Sequence, residues 1–232
     1  MKRPRIPSQL SESFHQQLNM YALMASAAGV GLLALTPSAD AKIVYTRAHK
    51  SIVPNHTIPL DLNHDEITDF RFKDVHSTTS KYGFSHIGAL SVLPTRRANE
   101  IQGYSKYNRH YASALQAGVS IGPKGPFAPG AEVMATVYND SGARRDISSV
   151  CNGPWSNAVN RYLGLKFRIQ GKVHFGWARL NVTCPGTNVD ATLTGYAYET
   201  IPGKSIKAGQ TKGGDETSPE TGSLGALARG AK

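Results

Sequence analysis

Between residues 42 and 203 apolar and polar positions alternate in short runs, and no stretch sustains a convincing helical period. Runs at Lys42–Thr46, Thr68–Phe72, Gly88–Leu93, Gly118–Gly122 and Glu132–Tyr138 predict strands, because β-rich segments there are broken by Gly, Pro, Asn and Asp. Leu163, Leu165, Phe167 and Ile169 alternate with Gly164, Lys166, Arg168 and Gln170, the pattern of a strand with one buried face. Gly171-Lys172 follows as a two-residue turn with Gly first, which suits type II′. The return strand places Val173, Phe175 and Trp177 on one face, then the apolar phase moves to Leu180 and Val182. That shift predicts a bulge around residues 176–179. A last strand is expected at Thr192–Tyr198. The segment Asn99–Leu115 differs, since Tyr104, Tyr107, Tyr111 and Leu115 fall three and four apart, fitting a short helix or a tyrosine-rich loop. The pattern as a whole predicts a mainly β fold: an antiparallel two-sheet sandwich, jelly-roll-like, with at most one short helix. No repeat recurs, so a propeller made from this chain alone is not expected.

The chain ends read differently. Lys2, Arg3 and Arg5 precede an apolar run of 16 residues, Met20–Leu35, and then Ala39-Asp40-Ala41 before Lys42. Charge, apolar stretch and small residues in that order predict a signal peptide at 1–41, cleaved after Ala41. The apolar run is shorter than the roughly 18–20 residues of a membrane span, so an uncleaved anchor is the lesser reading. Residues 42–203 are then the β-sandwich domain. The tail, 204–232, is expected to be disordered, because residues 212–223 (KGGDETSPETGS) lack apolar side chains. The Leu224–Leu227 patch beyond is too short to cross a bilayer.

Charge narrows the partners. Three of the 26 Lys and Arg residues and two of the 16 acids precede Lys42, leaving 23 against 14 and a charge of +9. Scattered charge of this kind reads first as general solubility; as a binding surface it favours polyanions, an anionic polysaccharide or cell-wall polymer among them. The basic residues are scattered and carry no nucleic-acid motif, so nucleic acid is not expected as a partner. Both cysteines, Cys151 and Cys184, lie in the exported part, where an even pair forms a bridge. No C-x-x-C and no His at zinc-finger spacing competes with that reading.

The sharpest chemical signal is Asp61-Leu-Asn63-His-Asp65-Glu-Ile67-Thr-Asp69. Oxygen side chains recur at loop positions 1, 3, 5 and 9, and Ile67 at position 7 can offer its carbonyl. Calcium needs hard oxygen donors converging from a tight turn, so calcium is the expected cofactor, in a structural role. Position 12 is Phe72, where an EF-hand has its bidentate Glu, so this is not an EF-hand. The loop resembles the D-x-N-x-D-G-x-x-D loops of FG-GAP-type extracellular repeats, a resemblance that implies calcium held between strands. It departs at Glu66, where those loops carry Gly. The chain also resembles a family of uncharacterised exported bacterial proteins, through Lys42–Tyr45, the acidic loop, Phe175-Gly-Trp177-Ala-Arg179-Leu and Gly195-Tyr-Ala-Tyr198-Glu199. Some of that family carry PEP-CTERM-like sorting tails; here the tail is absent or cut short.

No G-x-S-x-G, H-E-x-x-H, P-loop or G-x-G-x-x-G is present, and the histidines from His49 to His174 form no i+2 or i+4 pair. Trp155, Trp177 and Tyr196 can be read as a sugar-stacking platform or as strand-face packing. The leading expectation is therefore a non-enzymatic exported envelope or extracellular module with a calcium loop and one disulfide. A glycan-binding jelly roll is the second reading, and a hydrolase with a site dispersed in sequence is the third.

Overall fold

A computed structural model describes residues 42–79, 85–140 and 147–213. The signal peptide expected at 1–41 and residues 214–232 of the expected tail lie outside the described residues. What is described contains fourteen strands and no helix. The first half holds β1 (Ile43–Ile52), β2 (Thr57–Leu60), β3 (Phe70–Thr79), β4 (Ser85–Pro94), β5 (Glu100–Lys106), β6 (Arg109–Ala112) and β7 (Ser120–Ile121). The second half holds β8 (Phe127–Ala128), β9 (Glu132–Asp140), β10 (Ile147–Asn152), β11 (Arg161–Ile169), β12 (Lys172–Thr183), β13 (Asp190–Glu199) and β14 (Ile206–Lys207).

Hydrogen bonds connect the strands in the order β1-β13-β12-β11-β5-β6-β9-β4-β3-β2, with β10 on β9 and β8 on β5. β5 is the seam. Its first residues pair with β11 (Ile101 opposite Leu165), and from Gly103 onward it pairs with β6. The sheet thereby divides into two layers. Pairing is antiparallel except where β6 meets β9 in parallel at Tyr111 and Val133. The mainly β, sandwich-like expectation is met.

The main core lies between the layers. Phe70, Phe72, Leu90, Val92 and Val137 face it from one side, and Leu163, Leu165, Phe167, Leu180 and Leu193 from the other. Each set follows the period of two that a half-buried strand requires. A second cluster covers the opposite face of the β11-β12-β13 layer: Ile43, Tyr162, Phe175 and Trp177 pack there with Ile121 and Ile206. Ile121 and Ile206 belong to β7 and β14, which form a small separate sheet over that face.

This second cluster explains the phase change in β12 and corrects its interpretation. Phe175 and Trp177 face the small sheet, while Ala178, Leu180 and Val182 face the main core. β12 runs in unbroken register against β11, so no bulge interrupts that pair. The irregularity lies instead in the pairing with β13, where Arg179 meets Gly195, Leu180 meets Leu193, and Thr194 is the extra residue.

Three further expectations are corrected. The turn after β11 is Gln170-Gly171, with φ of 49° and 80°, and Ile169 pairs Lys172. Positive φ at both central residues makes it type I′ rather than the II′ turn placed one residue later. Residues 99–115 are not helical: β5 and β6 form a hairpin through Tyr107-Asn108, again with both φ positive (50° and 56°). The folded domain also continues past 203, since β14 pairs β7 and the Trp177 Nε1–H donates to the Gln210 carbonyl at 3.1 Å.

Candidate functional site

The acidic segment joins β2 to β3, and its ends are tied together first. Leu60 pairs Phe70, and the Asp69 N–H donates to the Leu60 carbonyl at 2.9 Å. Leu62 is buried in the main core, pinning the loop from below. Within that closure the Asp61 carboxylate becomes a hub. Its Oδ1 accepts from the N–H groups of His64 (2.8 Å) and Asp65 (3.4 Å), and its Oδ2 from Glu66 N–H (2.8 Å). Asp65 Oδ1 accepts from Ile67 N–H at 3.0 Å, and Asn63 Nδ2 donates to Asp65 Oδ2 at 3.0 Å. Asp69 Oδ2 accepts from Leu62 N–H at 3.0 Å, while Asn99 Nδ2 reaches the Asp69 carbonyl at 3.1 Å and Oδ1 at 3.4 Å.

This wrapping bends the backbone into the left-handed region at His64 (φ 60°) and Glu66 (φ 65°). The Glu66 conformation is the one for which the resembling loops use Gly, and a residue with Cβ costs about 1 kcal/mol there. The Glu66 side chain is exposed, so that residue contributes its N–H to Asp61 rather than its carboxylate to the loop interior. The loop is also braced against the other layer: His64 Nε2 and Thr46 Oγ1 stand 2.8 Å apart, and the His64 ring contacts Tyr196 at 5.8 Å.

The donor set can be tested for a hard cation. Asn63 Oδ1 is buried and has no hydrogen-bond partner. Asp61 and Asp65 are oriented by main-chain N–H groups and keep further lone pairs for a cation. Among the described residues no three His, Cys, Asp or Glu side chains stand close enough to share a metal by themselves. A cation here would therefore need Asn63 and a carbonyl such as that of Ile67 beside Asp61, Asp65 and Asp69. Burial pushes the Asp69 carboxyl up to about 6, against the lowering effect of the Leu62 N–H and Asn99, with Asp65 and Asp61 raising it further.

The bridge Cys151–Cys184 is formed, with Cα atoms 6.0 Å apart. Cys151 is on β10 and Cys184 follows β12, so the bond links one layer to the other. A disulfide points to an oxidising, non-cytoplasmic compartment. No helix of the described residues is long and apolar enough to cross a membrane.

The proposed sugar platform is overturned. Trp155, Trp177 and Tyr196 are buried, at 0, 1 and 7% exposure, so none presents a ring face to a ligand. Trp155 Nε1–H donates to the Ala112 carbonyl at 2.9 Å, and Trp177 packs edge-on against Tyr162 at 5.2 Å. A cleft of about 670 Å³ lies by residues 122–126, lined also by Gln102, Ser120 and Ser205. Among the described residues no carboxylate or imidazole lines it.

Two groups escaped the sequence analysis. Asp74 and Glu132 are buried (2 and 1% exposed), with no hydrogen-bond partner on either carboxylate oxygen. Burial pushes Asp74 up to about 6, with the Asp190 charge adding to it; burial also raises Glu132, opposed by His110. The signal was present for Asp74: it continues the inward phase of Phe70 and Phe72 on β3. No family model, curated protein or solved structure matches this chain.

Proposed function

We propose that this chain is an exported, non-enzymatic envelope or extracellular module whose 61–69 loop is a structural calcium site. The observation that carries the reading is the buried, partnerless Asn63 Oδ1 in a loop already wound around Asp61 with position 66 left-handed. A cation at that place satisfies Asn63 and offsets the repulsion of Asp61, Asp65 and Asp69, which otherwise stand together in a basic protein. Its role is to fasten the β2–β3 connection to the core and, through His64, to β1. The leader at 1–41 and the oxidised Cys151–Cys184 pair support export.

Thermal unfolding with and without calcium tests the site. The cation binds the folded state preferentially, so millimolar calcium is expected to raise the melting temperature in a concentration-dependent way. Asp65→Ala abolishes the shift, and Glu66→Gly enlarges it by relieving the backbone. An unchanged melting temperature of the unmutated protein across millimolar calcium sinks the reading.

A further inference from the structure

The β5–β6 hairpin carries features that oppose its own stability. Tyr104 pairs with Tyr111 and Lys106 with Arg109, so all four side chains stand on one face in two ranks about 7 Å apart. Lys106 and Arg109 are directly opposite, and like charges so placed destabilise a hairpin. Neither makes an ion pair among the described residues, and both are exposed. The turn adds to the cost. Tyr107 occupies a left-handed position (φ 50°) where type I′ turns favour Asn or Gly, and it is 85% exposed, beneath the Lys106 ammonium at 5.2 Å. Tyr104 and Tyr111 stack at 5.6 Å with 22° between their planes, and Tyr104 remains 46% exposed. The Tyr104–Tyr111 stack supports the hairpin, but the like-charge pair and the tyrosine at the turn do not. Strain and unpaired charge meeting at one exposed place motivate a binding role for this face.

We propose that this hairpin face binds an acidic polysaccharide, with sugar rings against Tyr104 and Tyr111 and sugar carboxylates on Lys106 and Arg109. Each ring keeps one face outside the stack, and an aromatic face can take the C–H face of a pyranose. The second rank lies about one sugar residue further on, where the guanidinium and ammonium meet carboxylate. A nucleic-acid strand would need a cation track along every phosphate, and only one rank of cations is present here. The proposal does not rest on the cation loop and survives its failure.

The test uses the full, oxidised chain and polygalacturonate in titration calorimetry, with dextran and oligothymidylate as comparison ligands. Binding to polygalacturonate is expected, weakened by salt, with no binding to dextran and at least about tenfold weaker binding to oligothymidylate. Lys106→Gln with Arg109→Gln, and separately Tyr104→Ala, each weaken it about tenfold or more. Lys106→Glu gives the sharpest separation: an opposite-charge cross-strand pair raises the melting temperature by about 1–3 °C while binding is lost. The proposal is overturned by no binding to polygalacturonate, by binding indifferent to these variants, or by tighter binding to oligothymidylate.

Discussion

Asp74 gives the most direct test of how this fold handles buried charge. The residue points into the sandwich from β3, is 2% exposed, and has no hydrogen bond to either oxygen. Its carboxyl is raised to about 6, first by burial and then by Asp190. In the unfolded chain it titrates near 3.9. The folded state therefore holds this proton more tightly than the unfolded state. The associated stability is fully present below about pH 4 and is lost as pH rises through about 6. A difference of about two pH units corresponds to a penalty on the order of 2–3 kcal/mol at neutral pH. Asp74→Asn removes the ionisation but keeps the shape, and it retains the cost of a buried polar group without a partner. Urea unfolding of both proteins at about pH 4.5 and about pH 7.5 is the assay. Because the unfolded carboxyl is already mostly ionised at about pH 4.5, part of the cost is present there; on going from about pH 4.5 to about pH 7.5 the variant should gain about 2 kcal/mol of stability relative to the parent. Asp69 titrates in the same range, so the loss in the parent is larger than Asp74 alone supplies, and only the difference between the two proteins isolates Asp74. A stability difference that is the same at both pH values would refute the reasoning.

Four other outcomes follow from the geometry. Reduction of Cys151–Cys184, or its replacement by two serines, should cost about 3–4 kcal/mol in urea unfolding, because the bridge closes a separation of 33 residues. Truncation after Gly203 should lower stability by about 3 kcal/mol or more and shift Trp177 emission to the red, since it removes buried Ile206 and Ala208 and the Gln210 carbonyl that Trp177 donates to. Gly103→Ala should destabilise by about 2–4 kcal/mol in the same assay, its Cβ falling 2.3 Å from the Tyr111 carbonyl oxygen. Gly118→Ala should cost only about 1 kcal/mol, because that site is open and only its φ of 84° resists.

By itself the sequence determined the class of fold and the one covalent link. Alternation at Leu163–Ile169 is a local property, readable because each residue's neighbour along the strand faces the other way. Two cysteines can pair in one way only. The acidic loop was legible for the same reason: its hub, Asp61, bonds to N–H groups three to five residues on, all within the segment itself. Tertiary structure decided what depends on surfaces arriving from afar. Trp177 is buried because β7 and β14, some 56 residues before it and 29 after it, cover the outer face of β12. No pattern inside β12 announces that cover; a second apolar phase on one strand looks the same as a bulge. The tyrosines show the converse limit. Positions i and i+7 share a face of a helix, and across a two-residue turn they also become direct partners, as Tyr104 and Tyr111 do. Periodicity cannot separate the two cases, and the pairing of β5 with β11 and of β6 with β9 selects the hairpin. Asp74 lay in plain view on an inward phase, but only the packed core sets the energy of its charge. A carboxylate's cost is fixed by the solvent it loses, and which solvent is lost is settled when the two layers close.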